Sequence, residues 1–297
     1  MKKLATLLLL LIAIISIANS QTRMPFIAQN LPDTKTIVVL GKTRLEYVEQ
    51  GDNFGVPVLF LHGFTDSWHS FEKVLTLLPA NIHAIALSQR GHGNSDKPLT
   101  NYDPKDFAAD AAALIRSLKI GPVIIVGHSM GGVVAQRLVI DYPELIKGLV
   151  IVSSSSAFNG KRDLIDFNSF VQTLQDPVDK IFIDEFQKGT IVKPIDKTYY
   201  DTIVNESAKV PAHVWKAALG ALVKTDFTEA LKGVNKPTLI FWGDKDNIIA
   251  REDQDRILKA IKGSKMIVYE GMGHSIHWEE TVKFTDDLVT FIYKIIE

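Results

Sequence analysis

Val123-Ile124-Ile125-Val126 runs without a break into Gly127-His128-Ser129-Met130-Gly131. An unbroken apolar run is the mark of a strand buried on both faces of a parallel sheet. The five residues after it form G-x-S-x-G, a weak signal by itself. Its context strengthens it, because the residues at 130–141 read as a helix. A strand that turns sharply into a helix needs glycines beside the serine, since a Cβ there would strike neighbouring backbone. The same turn thrusts the Ser129 hydroxyl out above the sheet, over a helix N-terminus that favours developing negative charge.

Outward from this turn the same strand type recurs. Val58–Leu61, Ile82–Leu87, Gly148–Val152, Thr238–Trp242 and Met266–Tyr269 alternate with helical stretches near 69–78, 106–119, 251–262 and 278–295. Thr36–Leu40 and Arg44–Glu49 flank Gly41-Lys42 and read as a hairpin. The alternation predicts the α/β class, with a mostly parallel eight-stranded sheet covered on both faces. Between Val152 and Pro237 no core strand is legible, and the connection far exceeds the usual roughly 2–6 residues. Residues 157–225 hold amphipathic pieces at Leu164–Leu174 and Ile181–Phe186 and the pair Tyr199-Tyr200. They predict a helical cap or lid after the sixth strand, at the sheet edge where α/β folds bind ligands, with a structural excursion as the alternative. The core is then 21–156 together with 226–297.

The 297 residues are 46% hydrophobic and 23% charged, with a formal charge of -1. Those values argue against intrinsic disorder and against a polytopic membrane protein, and give no electrostatic reason to expect nucleic acid. With no cysteine in the chain, disulfides, thiolate metal sites and a cysteine nucleophile are excluded. Met1-Lys2-Lys3, the apolar stretch Leu4–Ala18 and Ala18-Asn19-Ser20-Gln21 read as a secretory signal over 1–20, cut near Ser20. The stretch is shorter than the roughly twenty residues a span needs, so no stable membrane span is expected after cleavage, although an uncleaved anchor is the alternative. The expected location is secreted or periplasmic.

A serine hydroxyl becomes a nucleophile only when a base takes its proton and a third group orients that base. The rest of the chain offers both in the order Ser, acid, His. The strand Thr238–Trp242 ends in Gly243-Asp244-Lys245-Asp246, and Met266–Tyr269 ends in Glu270-Gly271-Met272-Gly273-His274. Asp246 is preferred to Asp244, which reads as a turn-ordering residue, and His274 to His277, which falls at the mouth of the last helix. Singly, each has a plain reading as helix N-cap, turn residue or surface histidine. Together, at strand ends and in this order, they predict a catalytic triad. Leu61-His62-Gly63-Phe64 ends its strand where a second oxyanion donor belongs, so the backbone N–H groups of Phe64 and Met130 are expected to converge on a developing alkoxide. Ser88–Pro98 is rich in turn residues and is expected to shape the rim of the site.

With His62-Gly63-Phe64, Arg90-Gly91-His92-Gly93-Asn94-Ser95, Gly127–Gly131, Gly243-Asp244-Lys245-Asp246 and Gly273-His274, the chain resembles the α/β-hydrolase superfamily over residues 36–295. It looks most like the capped branch of esterases, lactonases, carbon–carbon bond hydrolases, dehalogenases and epoxide hydrolases. One departure is Ser88, where that branch usually carries an Asp that helps fix the following Arg. Dehalogenases and epoxide hydrolases of this kind attack with Asp, whereas Ser129 implies an acyl-enzyme and a carbonyl substrate. The expectation is a serine hydrolase of a carboxylic ester or lactone with a small apolar acyl substrate. A carbon–carbon bond hydrolase with the same triad, or a slow-turnover ligand-binding protein of the same fold, are the alternatives.

Tyr199, Tyr200 and Trp215 are the candidate substrate-binding residues of the cap, as pocket wall or as cap core. Phe167, Phe170 and Phe227 are further apolar candidates. His274-x-x-His277 lacks a carboxylate partner at metal-ligand spacing, and no G-x-G-x-x-G follows a strand, so neither a metal nor another cofactor is expected. Asn205-Glu206-Ser207 is a formal glycosylation sequon.

Overall fold

The computed structural model describes residues 32–40 and 43–297. The expected signal at 1–20 and the Gly41-Lys42 turn lie outside the described residues. The strands are β1 (Thr34–Val39), β2 (Thr43–Gln50), β3 (Val56–Leu61), β4 (Ile82–Ser88), β5 (Val123–His128), β6 (Ile146–Val152), β7 (Thr238–Gly243) and β8 (Lys265–Tyr269). They form one sheet in the order β1-β2-β4-β3-β5-β6-β7-β8. β1, β2 and β4 pair antiparallel, and every pairing from β4 through β8 is parallel.

Order 4-3-5 means that the chain leaves β3 in one direction and returns on its other side as β5. A crevice opens at such a reversal, beyond the strands' carboxyl ends. The register there pairs Leu61 with Gly127, so the residues after β3 and the turn after β5 meet at one point.

The helices are α1 (Glu72–Leu75), α2 (Pro104–Leu118), α3 (Met130–Asp141), α4 (Arg162–Val171), α5 (Lys180–Lys188), α6 (Lys197–Ser207), α7 (Ala212–Leu222), α8 (Arg251–Ala260), α9 (Ile276–Glu279) and α10 (Thr281–Ile296). Successive strand residues point to opposite faces. Leu59, Ile125 and Leu149 accordingly pack in one apolar cluster with Leu114 of α2 and Leu138 of α3. Phe60, Val126 and Val150 pack on the other face with Phe284, Leu288 and Ile292 of α10.

Helix α2 begins earlier than its apolar pattern because Asp103 and Asp106 form a reciprocal capping box and Pro104 takes the first turn, where a missing N–H costs nothing. The helix expected over 278–295 is instead two, with Glu280 between them at φ -134°, ψ 50°.

Helices α4 to α7 lie between β6 and β7, and a single antiparallel bridge, Ala157 to Asp226, closes the base of this insertion. Helices α6 and α7 complete the insertion. Their start is set by Asp196, which accepts from Tyr199 N–H at 2.9 Å, and by Pro211 ahead of Ala212. The insertion shares the first apolar cluster with the core through Trp215 of α7, which is fully buried. Its ring meets Phe64, Phe182 and Phe186 at centroid distances of 5.0, 5.5 and 5.4 Å.

Among the described residues no helix is long and apolar enough to cross a membrane. Truncating Trp215 to Ala should cost about 3–5 kcal/mol, the range for emptying a large buried aromatic site. It should appear as a lower urea midpoint, with Trp215→Phe losing less.

Candidate active site

Ser129 sits at φ 51°, ψ -117°, between the last residue of β5 and the first of α3. A residue with a Cβ rarely adopts such a backbone, and holding it there costs about 1–3 kcal/mol. The surroundings impose it. A Cβ on Gly127 would lie 2.3 Å from Gly131 O, and one on Gly131 would lie 2.2 Å from Leu61 O. Ser129 N–H donates to Val152 O at 2.9 Å, fixing the turn to β6. The hydroxyl makes no capping bond to α3, so the plain N-cap reading fails.

The loops after β7 and β8 are drawn together by a similar close approach. A Cβ on Gly243 would stand 2.3 Å from Gly273 O. Asp244 Oδ1 accepts from Gly271 N–H at 2.6 Å, which is the turn-ordering role expected for it. Asp246 Oδ1 accepts from Ile248 and Ile249 N–H, each at 2.9 Å, and its Oδ2 lies 2.9 Å from His274 Nδ1. A carboxylate only accepts, so His274 Nδ1 carries the proton and Nε2 holds the lone pair. His277 lies elsewhere, with Nε2 3.2 Å from Ser70 Oγ.

A cavity of about 790 Å³ takes in Ser129, His274 and Asp246 together with Gly63 and Phe64. Its volume falls in the range usual for small-molecule sites. Phe158, Leu164, Phe167, Phe186, Leu219 and Leu222 make its apolar wall. Met130 is the first residue of α3, so its N–H is one of those a helix leaves without an internal partner. The Phe64 turn is braced from below by His62. That ring donates through Nδ1 to Gly63 O at 2.8 Å and accepts Gln89 N–H at Nε2, 2.9 Å away. Burial keeps the His62 imidazole well below its ordinary pKa, and therefore neutral.

None of the three candidate substrate-binding residues reaches this cavity. Tyr199 is buried under the site and donates to His69 O and Ser70 O at 3.0 and 2.9 Å. Tyr200 donates to Asp184 O and Oδ1, each at 2.9 Å. Trp215 is the core of the inserted helices, so the large aromatics of this segment serve its packing first. Of the other apolar candidates, Phe167 lines the cavity, Phe170 is 49% exposed and Phe227 packs under Arg137.

The 88–98 segment does not form the rim either. Ser88 Oγ donates to Glu46 Oε2 at 2.8 Å, and Asn94 N–H reaches the same oxygen at 3.0 Å, tying the segment beneath β2. Arg90, which lacks its usual upstream Asp, is held by Asp110 of α2 through two hydrogen bonds of 2.5 and 2.6 Å. Among the polar residues of the cavity wall that were not singled out from the sequence are Asp66 and Gln187. Asp66 could have been, since it stands two positions past Phe64 in the same turn. Gln187 carried no local signal.

The sequence profile of the family described as alpha/beta hydrolase fold matches residues 56–281. A non-heme chloroperoxidase of Streptomyces lividans is 27% identical over 279 residues, covering 86% of this chain and 99% of the relative. A bifunctional esterase/perhydrolase of Acinetobacter calcoaceticus is 26% identical over 273 residues, covering 83% of this chain and 95% of the relative. Among solved structures, an esterase from Exiguobacterium antarcticum superposes with a TM-score of 0.81 at 24% identity, over 88% of this chain and 100% of that one. At that identity the likeness shows the fold.

The Asp246–His274 bond makes a spectroscopic prediction. The His274 Nδ1 proton should give a far-downfield, exchange-protected proton resonance that vanishes in Asp246→Ala and persists in His277→Gln.

Proposed function

The chain belongs to the α/β-hydrolase fold family, and from that premise we propose that it is a serine hydrolase of carboxylic esters or lactones with a small apolar acyl group. The observation that carries this reading is the 2.9 Å hydrogen bond from His274 to Asp246 in the cavity that Ser129 also lines. Ser129 Oγ attacks the acyl carbon while His274 Nε2 takes its proton, and Asp246 holds the imidazolium that results. The carbonyl oxygen becomes an oxyanion facing the N–H groups of Phe64 and Met130. Collapse of this intermediate expels the alcohol, which takes its proton from His274. Water, activated by the same imidazole, then releases the acid and restores Ser129.

Substrate preference follows from the wall. Phe158, Leu164, Phe167 and Phe186 offer apolar surface, and each Å² removed from water contributes about 25 cal/mol. The inserted helices act in this reading as the cap that roofs the cavity. Export through the segment at 1–20 belongs to the proposal as well. The secreted protein should have the intact mass of a chain beginning at Gln21.

A fluorophosphonate probe should label the folded protein on Ser129, as mapped by mass spectrometry, and His274→Ala should abolish labelling. Ser129→Ala and His274→Ala should each lower kcat by about four to six orders of magnitude, as for groups that act as a unit. An adduct elsewhere, or none on demonstrably folded protein, sinks the reading.

A further inference from the structure

Asp66 is 3% exposed, and its carboxyl belongs to the wall of the cavity that holds Ser129 and His274. Its backbone N–H donates to Gly63 O at 3.3 Å, closing the turn that carries Phe64. Three donors serve the carboxyl, none of them charged: the side chains of Gln187 and Ser70 and the Gly63 backbone N–H. Gln187 Nε2 reaches Oδ1 at 3.1 Å, and Ser70 Oγ reaches Oδ2 at 3.2 Å.

A further neighbour is an acceptor. His128 donates Nε2–H to His274 O at 3.2 Å, so its Nδ1 bears a lone pair. That Nδ1 lies 4.0 Å from Asp66 Oδ2 and is a buried atom with no hydrogen-bond partner. A carboxylate there would set negative charge against a lone pair in a water-poor wall. A carboxylic acid would set a proton between them.

The other titratable groups facing Asp66 bring little compensating charge. His274, in the loop after β8, favours the ionised carboxyl. His277 of α9 stands behind Ser70, and burial holds both it and His128 well below the ordinary imidazole pKa, so both are neutral. Tyr199 of α6 is a buried phenol pushed upward, and also neutral. Among the described residues no lysine or arginine bonds to Asp66. Burial accordingly lifts its carboxyl from the ordinary 3.8 to about 7, against the opposing pull of Gln187, Ser70, His274 and the Gly63 backbone N–H.

We propose that Asp66 is a positioning acid of the reaction site, competent as the neutral carboxylic acid with its proton on Oδ2 facing His128, and that its ionisation shuts the site down. The proposal rests on the serine-hydrolase reading. On ionising, the carboxylic acid releases its proton to water through the cavity. It leaves a negative charge on the very turn that presents the Phe64 N–H to the oxyanion, where like charges repel strongly because little water screens them. Gln187 belongs to the same device, since its amide reaches from α5 to steady that carboxyl.

The test is the pH profile of kcat/KM for 4-nitrophenyl butyrate from pH 5 to 9.5 in wild type, Asp66→Asn and Gln187→Met. The wild type should lose about tenfold per pH unit on its basic limb, as when one proton is essential. Asp66→Asn keeps the shape of the neutral acid and should lack that limb. Gln187→Met removes a donor that favours the carboxylate, so the limb should move to higher pH. An alkaline loss that persists in Asp66→Asn overturns the proposal.

A second readout does not depend on turnover. A carboxyl raised in the folded state adds stability that is complete below its unfolded value near 3.8 and is lost as pH rises through about 7. The Tm of the wild type should therefore fall relative to Asp66→Asn between pH 4 and 8, and parallel Tm curves overturn the proposal. Diverging Tm curves in a protein that neither hydrolyses the ester nor accepts the fluorophosphonate would support the neutral acid while sinking the esterase reading.

Discussion

The parallel pairing of β3 with β5, in the register that sets Leu61 beside Gly127, is the contact on which the site depends. It brings the ends of two strands to one point, and the helix that follows must then begin against the backbone of the neighbouring strand. Only glycine at 131 permits this, with Leu61 O at 2.2 Å from where a Cβ would stand. The strain at Ser129 and the nearness of the Phe64 turn follow from that approach. A slip of one residue in this register would turn every side chain of β5 to the opposite face and separate the serine from the turn.

The inserted helices are tied to this point as well. Phe64 packs edge-on against Trp215, Thr65 Oγ1 lies 3.2 Å from Ser207 Oγ, and Asp66 accepts from Gln187, so three successive residues of the turn meet α5, α6 and α7. On the other side, Ser275 N–H donates to Thr190 O at 2.9 Å, joining the His274 loop to the segment after α5. The insertion therefore touches both the Phe64 turn and the loop that carries His274. Movement of these helices would alter both at once.

Beneath the cavity the protein buries an unusual number of imidazoles. His128 lies between His274 and His277, its ring tilted against both, at centroid distances of 4.9 and 4.4 Å. Desolvation first, then repulsion from neighbouring imidazoles, favours the uncharged forms of His128 and His277. Fixed neutral dipoles in a dry site impose directions on protons. This is why the lone pair at His128 Nδ1 matters to the carboxyl next to it.

Strand and helix identity around Ser129, the α/β class, and the order Ser129, Asp246, His274 were legible because each rests on local pattern: apolar runs, paired glycines and the ends of strands. Asp246 could be preferred to Asp244 for the same reason, since a turn needs one carboxylate for itself. The places of Tyr199, Tyr200 and Trp215 were not legible, because an amphipathic aromatic looks the same whether it faces a cavity or fills a helical core. Arg90 found Asp110 twenty residues on, and Asp66 found Gln187 across more than a hundred. The sequence by itself determined the fold and the candidate reacting residues, through short-range sterics and hydrophobic periodicity. Only the tertiary structure decided which polar groups share a desolvated wall and which aromatics line it, because burial and long-range pairing arise when distant segments pack.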